Sequence, residues 1–264
     1  MSALENKTAL ITGAGRGIGL AIAKAFVDAG AEVYLSDLDG DQVQQHANAL
    51  GKHAHGVKLD VRSETDWTEI RQQLPSPDIV VNNAGITGLT ETPGPHDPEN
   101  VDLESWRAVL QTNLDGVVLG CRYAIQTMKS RGGAIINIAS RSGLVGVPAA
   151  SAYAASKAAV INHTRSVALH CANHRYPIRC NAIAPAAVFT EMWDAMLGEG
   201  PAREAMIGQI ESGIPMGRFG QPNEVADMAV FLASNQSSYM TGAILDLDGG
   251  IRAGEGAPPP ATED

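Results

Sequence analysis

Short runs of aliphatic residues alternate along this chain with longer segments in which apolar residues recur every three or four positions. The first run covers positions 8–12, and the helical segment that follows at 17–30 carries Ile18, Ile22 and Phe26. Runs that are apolar on both faces are typical of parallel strands covered by helices on each side. The pattern predicts further strands at 32–36, 57–61, 78–82, 134–139, 178–183 and 244–247.

Helical segments separate these strands. A polar helix is predicted at 40–50, another passes through Trp67 and Ile70, and two long ones at 103–131 and 152–175 flank the fifth strand. Repeated strand–helix units with right-handed crossovers build a doubly wound parallel sheet, in which ligands bind beyond the carboxyl ends of the strands. The expected fold class is therefore α/β, with one parallel sheet of about seven strands and helices on both faces.

The domain organisation is simple. The chain shows no break in composition and no internal repeat, which predicts a single domain over residues 1–252. Positions 87–100 are rich in proline, glycine and acidic residues and are predicted to form a surface loop. The tail at 253–264 contains consecutive prolines, so we expect it to be disordered or to act as a docking arm.

Composition narrows the possible functions. Of 264 residues, 44% are hydrophobic, and 29 acidic residues against 19 basic ones give a formal net charge of −10. The acidic excess argues against binding to nucleic acid or to an anionic membrane surface, because both require lysine and arginine. No apolar stretch approaches the roughly 18 residues of a membrane-spanning helix, and the first residues lack the features of a secretory signal. A cytoplasmic location is expected.

Cysteine and histidine offer little metal chemistry. Cys121, Cys171 and Cys180 form no Cys-x-x-Cys pair and are expected to be reduced, mostly buried thiols. His170 and His174 are spaced to share one face of a helix, but no third ligand lies near them in the sequence. No metal site is predicted.

A glycine-rich turn directly follows the first strand. It contains Gly13, Gly17 and Gly19, a spacing that differs from the usual G-x-G-x-x-G pattern. Residues without a Cβ allow a tight turn in which backbone amides and the helix N-terminus approach a pyrophosphate. The second strand leads to Asp37, where a carboxylate would accept hydrogen bonds from an adenosine ribose. Together these features predict a dinucleotide site.

Two residues bear on which dinucleotide binds. A carboxylate at Asp37 would repel a 2′-phosphate and favours NAD, whereas a guanidinium at Arg16 could pair with that phosphate and favours NADP. Because Arg16 can turn toward solvent while Asp37 is fixed at a strand end, NAD is the expected cofactor and NADP the less favoured one.

Candidate catalytic residues lie near the fifth strand. Tyr153 and Lys157 are four positions apart in a predicted helix, so the ammonium shares a face with the phenol and would lower its pKa. Such a tyrosine could exchange a proton with an alcohol or ketone during hydride transfer. Ser140, at the end of the fifth strand, could hydrogen-bond the reacting oxygen, and Asn113 could hold a water beside the lysine.

These motifs, in this order, resemble the short-chain dehydrogenase/reductase family over about residues 5–250. The resemblance rests on motifs along the whole chain, namely the turn at 12–19, Asp60-Val61, Asn82-Asn83-Ala84-Gly85, Asn113, Ser140, Tyr153 with Lys157, Pro185 with Thr190, and Asp248-Gly249-Gly250. It implies a single Rossmann-type domain and a catalytic tetrad of Asn113, Ser140, Tyr153 and Lys157. Homotetramers are common in the family, with the two long helices forming one interface.

The resemblance also implies a set of cofactor contacts. They come from Gly13, Arg16, Gly17, Ile18, Gly19, Asp37, Asp60, Val61, Asn83, Ala84, Gly85, Tyr153, Lys157, Pro185, Val188 and Thr190. The family usually has Pro-Gly after the sixth strand, and this chain has Pro185-Ala186. A methyl group at Ala186 is expected to narrow the space beside the nicotinamide.

The expected substrate is apolar. A lid near 188–215 would cover it with the side chains of Met192, Trp193, Met196, Leu197, Met206 and Ile207, unless these form only the packed face of the lid helices. Leu144, Val145 and Val147 would add an apolar wall. The stretch at 169–179 is similar to bacterial hydroxysteroid and cyclic-alcohol dehydrogenases of the family.

The sequence is therefore interpreted as an NAD-dependent dehydrogenase acting on a secondary, cyclic or steroid-like alcohol, or on the corresponding ketone. One alternative is an NADPH-dependent 3-oxoacyl thioester reductase, although Asp37 and the net charge of −10 disfavour it. Another is a non-catalytic NAD-sensing protein, which the intact set of Ser140, Tyr153 and Lys157 disfavours. Apart from a small-molecule substrate, neither a nucleic acid nor a membrane is an expected partner.

Overall fold

Seven parallel strands form one continuous sheet. The computed structural model describes residues 2–254, except for the side chain of Ala195. The strands are β1 (Thr8–Thr12), β2 (Glu32–Asp37), β3 (Ala54–Lys58), β4 (Ile79–Asn82), β5 (Gly133–Ile138), β6 (Ile178–Pro185) and β7 (Ile244–Leu247). Their order is β3-β2-β1-β4-β5-β6-β7, and all neighbours are parallel. Because the order reverses between β1 and β4, a crevice opens there at the carboxyl ends of the strands. The predicted fold class is confirmed.

Helices cover both faces of the sheet. They are α1 (Gly17–Asp28), α2 (Gly40–Leu50), α3 (Glu64–Gln73), α4 (Leu103–Leu110), α5 (Gly116–Met128), α6 (Ser151–Asn173), α7 (Asp194–Leu197), α8 (Gly200–Ser212) and α9 (Pro222–Ala233). One hydrophobic cluster joins the sheet to α1, α2 and α9, and a second joins it to α3, α5 and α6.

The two clusters follow from the alternation of side chains along each strand. Ile11 of β1 belongs to the cluster that contains Phe26 of α1, whereas the neighbouring Leu10 belongs to the cluster that contains Trp67 of α3. Successive residues of a strand point to opposite faces, so a strand buried on both sides must be apolar at every position. This explains why the strands are short apolar runs.

The third strand differs from its prediction. β3 covers Ala54–Lys58 and pairs with β2 so that Asp37 lies opposite Lys58, whereas the sequence pattern predicted a strand at 57–61. Leu59 and Val61 are buried, but they lie after the strand, where the chain turns toward α3. Their burial reproduces the apolar pattern of a strand without strand pairing.

Two helical segments also differ from the sequence pattern. The predicted helix at 103–131 is interrupted by a π-helical segment at Gln111–Asp115, which separates α4 from α5. The helix α9 was not predicted, although its start carries a recognisable signal. Gln221 and Glu224 form a capping box around Pro222, with Glu224 accepting from the backbone amide of Gln221 at 2.7 Å.

The structure also bears on the other expectations from composition. Cys121, Cys171 and Cys180 are free, buried thiols, as expected. Within residues 2–254, no helix is long and apolar enough to cross a membrane, and no group of three or more His, Cys, Asp or Glu side chains is placed to hold a metal ion. Disorder is predicted for the tail at 253–264, and residues 255–264 of this tail lie outside the described part of the chain.

Candidate active site

The glycine-rich turn between β1 and α1 is packed too closely for side chains. Gly13 has a φ of +63°, and a Cβ built there would lie 2.7 Å from Cα of Ala84. A Cβ at Gly19 would overlap the carbonyl oxygen of Gly13. Glycine at both positions therefore lets the turn fold against the end of β4, and the N-terminus of α1 faces the crevice.

Asn83 holds this turn in place. Its Nδ2 donates hydrogen bonds to the carbonyl oxygens of Thr12 at 3.0 Å and Gly13 at 2.9 Å. The Thr12 hydroxyl oxygen accepts from the backbone amides of Asn83 and Ala84, both at 3.1 Å. The Asn83 side chain thus fastens the β4 end to the glycine turn, and residues 83–85, whose backbone is predicted to contact the cofactor, line the crevice.

Asp37 ends β2 beside the same turn. One of its carboxylate oxygens accepts a hydrogen bond from the backbone amide of Gly15 at 3.0 Å. This bond fixes the carboxylate at the mouth of the crevice, where the sequence places the ribose contact. Arg16 is exposed at the start of α1 and makes no ion pair with any residue between 2 and 254.

The Asp60-Val61 pair lies one strand further from the turn. Arg62 binds the Asp60 carboxylate through Nε at 2.9 Å and through a terminal nitrogen at 2.7 Å. These hydrogen bonds lower the pKa of Asp60. The Asp60 backbone amide donates to Asp66 at 3.0 Å, which ties the segment to the first turn of α3.

Tyr153, Lys157 and Ser140 converge on the crevice from α6 and from the end of β5. Loss of hydration raises the pKa of Tyr153 above its usual value of 10.0, and a hydrogen bond with Ser140 acts in the opposite direction. Burial lowers the pKa of Lys157 to about 8. Burial therefore outweighs the effect of the lysine on the pKa of the tyrosine, and the predicted lowering by the lysine together with a nicotinamide ring stays a prediction.

The reason for this lies in the position of the ammonium. Lys157 Nζ donates a hydrogen bond to the carbonyl oxygen of Ile138 at 2.9 Å and lies 5.7 Å from the centroid of the Tyr153 ring. Both groups are desolvated, which disfavours the charged form of each. A Cβ built on Gly85 would lie 3.4 Å from Nζ, so the backbone after β4 passes directly beside the ammonium.

Asn113 lies behind the wall of the crevice. Its Oδ1 accepts from the Ile86 backbone amide at 2.8 Å, and its Nδ2 donates to the Ile86 carbonyl at 2.9 Å and to the Ser156 hydroxyl at 3.0 Å. The residue is fully buried in the π-helical segment. These hydrogen bonds join the β4 end to α6. That Asn113 holds a water beside the lysine stays a prediction.

Most of these groups line one cavity of about 790 Å³. Among the predicted site residues, only Gly19 and Asn113 are not part of its wall, and both stand behind it. The predicted residues that line it are Gly13, Arg16, Gly17, Ile18, Asp37, Asp60, Val61, Asn83, Ala84, Gly85, Ser140, Tyr153, Lys157, Pro185, Val188 and Thr190.

The substrate end of the cavity differs from the prediction. Met192, Trp193 and Met196 line it as expected, but Leu144, Val145 and Val147 do not, and neither do Leu197, Met206 and Ile207. The wall is completed instead by residues that the sequence pattern assigned to a surface loop, namely Thr87, Thr90, Glu91 and Thr92. Their position directly after the β4 motif was the available signal, because loops at the carboxyl ends of strands carry ligand-binding residues.

The Ala186 position is less strained than its neighbour. Ala186 donates its backbone amide to the Leu247 carbonyl at 3.0 Å, continuing the pairing of β6 with β7. The left-handed backbone conformation falls on Ala187, with a φ of 48°. Both alanines line the cavity. That the methyl group of Ala186 narrows the space beside the nicotinamide stays a prediction.

The cavity has the shape and chemistry that a dinucleotide requires. A carboxylate at Asp37 faces one end, the open helix N-terminus lies in the middle, and the Tyr153 phenol and Lys157 ammonium face the other end. A Cβ on Gly17, where φ is +54°, would fill the space 3.4 Å from the Thr190 methyl group. The residues present therefore fit the predicted group.

Comparisons with known proteins agree with this geometry. The family model described as enoyl-(acyl carrier protein) reductase matches residues 13–252. A 3-beta-hydroxysteroid dehydrogenase of Comamonas testosteroni is 38% identical over 252 residues, covering 94% of this chain and 96% of that protein. An NADP-dependent (R)-specific alcohol dehydrogenase of Lentilactobacillus kefiri is 38% identical, covering 95% of this chain and 98% of that protein. Relatives named 3-oxoacyl-[acyl-carrier-protein] reductase also match.

A solved structure shows the same fold. A short-chain type dehydrogenase/reductase from Mycobacterium marinum superposes with a TM-score of 0.84 at 33% identity, covering 95% of this chain and 97% of that one. The fold and the site define a nicotinamide-dependent oxidoreductase that acts on alcohols or ketones. The chain belongs to the short-chain dehydrogenase/reductase family.

Proposed function

We propose that the protein is an NAD-dependent dehydrogenase of a secondary alcohol, with Tyr153 as the acid/base. The observation that carries this proposal is the convergence of Tyr153, Ser140 and Lys157 on the cavity that also contains Asp37. When bound, the nicotinamide accepts the hydride of the carbinol carbon, or returns it to the ketone.

Each side chain has a defined task in this scheme. The phenolate of Tyr153 takes the proton of the substrate hydroxyl, and the protonated phenol returns it in the reverse direction. Ser140 donates a hydrogen bond to the reacting oxygen. Lys157 is anchored to Ile138 and binds the nicotinamide ribose, and its charge there stabilises the phenolate against the burial that raises the pKa of Tyr153. Asn113 is a positioning residue that holds the Gly85–Ile86 backbone beside this lysine.

The preference for NAD over NADP rests on Asp37. Its carboxylate is held by the Gly15 amide at 3.0 Å, so it cannot turn away from the ribose without losing that bond. A 2′-phosphate placed there would be repelled. One relative is named NADP-dependent, which makes this residue, rather than the family, the basis of the preference.

A cyclic or steroid-like alcohol is the proposed substrate. Met192, Trp193 and Met196 line the same cavity as the catalytic groups and give it an apolar wall, and one relative is named a hydroxysteroid dehydrogenase. A second candidate is a 3-oxoacyl thioester, because the family model and several relatives are named for acyl-carrier-protein reductases. This alternative requires NADPH, which Asp37 disfavours.

The experiment compares initial rates with NAD and NADP on steroids, cycloalkanols and acyl thioesters, using the wild type, Tyr153→Phe and Tyr239→Phe. Tyr239 is fully exposed and serves as the control. We expect faster turnover with NAD, loss of turnover in Tyr153→Phe with NAD binding retained, and unchanged turnover in Tyr239→Phe. Undiminished activity of Tyr153→Phe would refute the assignment of the acid/base. A clear NADP preference would refute the cofactor preference drawn from Asp37, and faster turnover of acyl thioesters than of alcohols would favour the thioester reductase.

We also propose a homotetrameric state and a cytoplasmic location. Support for assembly comes from large apolar side chains on the long helices that stay exposed in one chain, including Val118 on α5 and Leu169 on α6. Light scattering after size-exclusion chromatography tests the oligomeric state, and an oligomer is expected to be lost in a Val118→Glu, Leu169→Glu double variant.

A further inference from the structure

A carboxylate lies on the wall of the cavity that contains the catalytic groups. The segment between β4 and α4, residues 83–102, is here termed the β4–α4 loop. Its Thr90, Glu91 and Thr92 line the same cavity as Ser140 and Tyr153. Glu91 takes no part in the proposed proton and hydride transfers.

The β4–α4 loop is tied to the catalytic side of the cleft. The carbonyl oxygen of His96 accepts from the backbone amide of Ser151 at 3.1 Å and from its hydroxyl at 2.7 Å. Ser151 begins α6, the helix that carries Tyr153. Two residues before His96, the Gly94 amide donates to the Ser105 hydroxyl at 3.0 Å, which ties the loop to α4. These anchors fix the loop near the reacting groups and away from Asp37, which lies beyond β1.

Two backbone amides bind one oxygen of the Glu91 carboxylate. Oε2 accepts from the backbone amides of Gly88 at 3.0 Å and Thr90 at 3.4 Å. Nearby, the Thr92 hydroxyl donates to the Gly88 carbonyl at 2.9 Å, which closes the turn. Within residues 2–254, Oε1 receives no hydrogen bond. The Glu91 side chain is exposed, so this oxygen is open to a hydrogen-bond donor of a ligand that reaches the cavity wall.

Within residues 2–254, no basic side chain forms an ion pair with this carboxylate. Of the described residues that line the cavity, the basic ones are Arg16 on the glycine turn, Arg62 bound to Asp60, and Lys157 bound to Ile138. The lid contributes two further acids, but Asp194 is paired with Arg203 at 2.8 Å, and the Glu191 carboxylate lies beside Gly17 of the glycine turn. An anionic substrate group beside Glu91 would therefore meet a carboxylate that has no ion-pair partner, whereas a hydroxyl or ammonium group would find an acceptor.

We infer that Glu91 is a specificity-determining residue, which selects secondary alcohols carrying a second hydrogen-bond donor and rejects those carrying a carboxylate. This inference rests on the proposed function and narrows its substrate class. The donor is a hydroxyl or an ammonium group remote from the carbinol carbon, bound by the free oxygen of Glu91. The hydride and proton transfers themselves are unchanged.

A matched set of substrates tests this directly. It consists of cyclohexanol and three derivatives with a hydroxyl, an ammonium or a carboxylate on the opposite ring carbon. The values of kcat/KM are measured with the wild type, Glu91→Gln and the control Glu99→Gln, whose side chain is exposed on the same loop outside the cavity wall. Glutamine keeps the shape of the residue, and cyclohexanol turnover reports in each variant whether the site is intact.

We expect the wild type to prefer the ammonium and hydroxyl derivatives over cyclohexanol, and cyclohexanol over the carboxylate. In Glu91→Gln, the ratio of ammonium to carboxylate turnover should fall by about tenfold or more, mainly through KM, because the charge-assisted bond and the repulsion are both removed. Cyclohexanol turnover and all ratios in Glu99→Gln should stay unchanged.

A failure of this inference can be distinguished from a failure of the proposed function. If the wild type oxidises these alcohols but Glu91→Gln keeps the wild-type ratio, the role of Glu91 is overturned and the proposed function stands. If no alcohol of the set or of the wider panel is oxidised by the wild type with either cofactor, both are overturned. A wild-type preference for the carboxylate derivative also contradicts the inference.

Discussion

The ammonium of Lys157 donates a hydrogen bond to the carbonyl oxygen of Ile138 at 2.9 Å, with the lysine side chain almost fully buried. Ile138 is the last residue of β5, and the chain continues from it through Ala139 to Ser140. The bond therefore joins the helix that carries Tyr153 to the strand that leads to Ser140. It also holds a charged group out of water, which has a measurable consequence.

The stability of the protein should depend on pH through Lys157. Burial lowers the pKa of Lys157 from 10.5 to about 8, so between these values the unfolded chain binds the proton more strongly than the folded chain. Stability contributed by this group therefore rises with pH through that window. We expect the free energy of unfolding of the wild type, minus that of Lys157→Met, to increase by about 3 kcal/mol from below to above the window. Urea unfolding at several pH values measures it, and a constant difference would contradict the burial argument.

Two glycine-to-alanine substitutions should act in opposite directions. In Gly19→Ala, the new methyl group would overlap the Gly13 carbonyl and the Asn83 side chain, which should cost about 1–3 kcal/mol and weaken NAD binding. In Gly208→Ala, on the exposed helix α8, no atom lies within 4 Å of the new methyl group. This change should stabilise the protein by about 0.5–1 kcal/mol. Thermal unfolding and calorimetric titration with NAD check both, and equal effects of the two would refute the packing of the turn.

Removal of the Asn113 side chain should loosen the β4 end. Asn113→Ala leaves the backbone amide and carbonyl of Ile86 without their partners, so we expect a loss of about 3 kcal/mol of stability and a lower kcat. Asn48→Ala is the control, because Asn48 accepts one exposed hydrogen bond on α2 and should change stability by less than about 0.5 kcal/mol. Denaturant unfolding and steady-state rates give both readouts. An Asn113→Ala variant as stable as the control would contradict the structure.

The two alanines after Pro185 should respond differently to glycine. Ala187 has a φ of 48°, a conformation that costs about 1–2 kcal/mol for a residue with a Cβ, so Ala187→Gly should be neutral or stabilising by up to about 1 kcal/mol. Ala186 has no positive φ, so Ala186→Gly should destabilise by about 0.5–1 kcal/mol through the greater entropy of the unfolded chain. Thermal unfolding of both variants measures the difference. If Ala187→Gly were the less stable of the two, the assignment of the strained backbone to Ala187 would be contradicted.

Much of the fold could be predicted because its signals are local. The strands around the glycine turn and around Tyr153 are short apolar runs between helical patterns, and the structure places them within a residue or two of the prediction. β3 was misplaced because Leu59 and Val61 are buried without pairing as a strand. The helix α9 was not predicted, although the residues of its capping box, Gln221 and Glu224, have the spacing that marks a helix start.

The site shows the same division. Glycine positions, the carboxylate after β2 and the Tyr153–Lys157 spacing were readable because each depends on neighbours within one turn or one strand. The engagement of Asn113 and the position of Glu91 depend on which distant segments meet. The amide of Asn113 is engaged by Ile86 and Ser156, and the loop of Glu91 is anchored on Ser151.

The sequence by itself therefore determined the α/β class, the dinucleotide turn and the residue types of the reaction, because periodicity and spacing act along the chain. Only the tertiary structure decided the protonation preferences and the substrate end. The pKa of Tyr153 is raised because packing removes water from it, and Glu91 faces the cavity because its loop is tied to α6. Desolvation and contacts between distant segments arise only when the whole chain packs, so no local pattern could encode them.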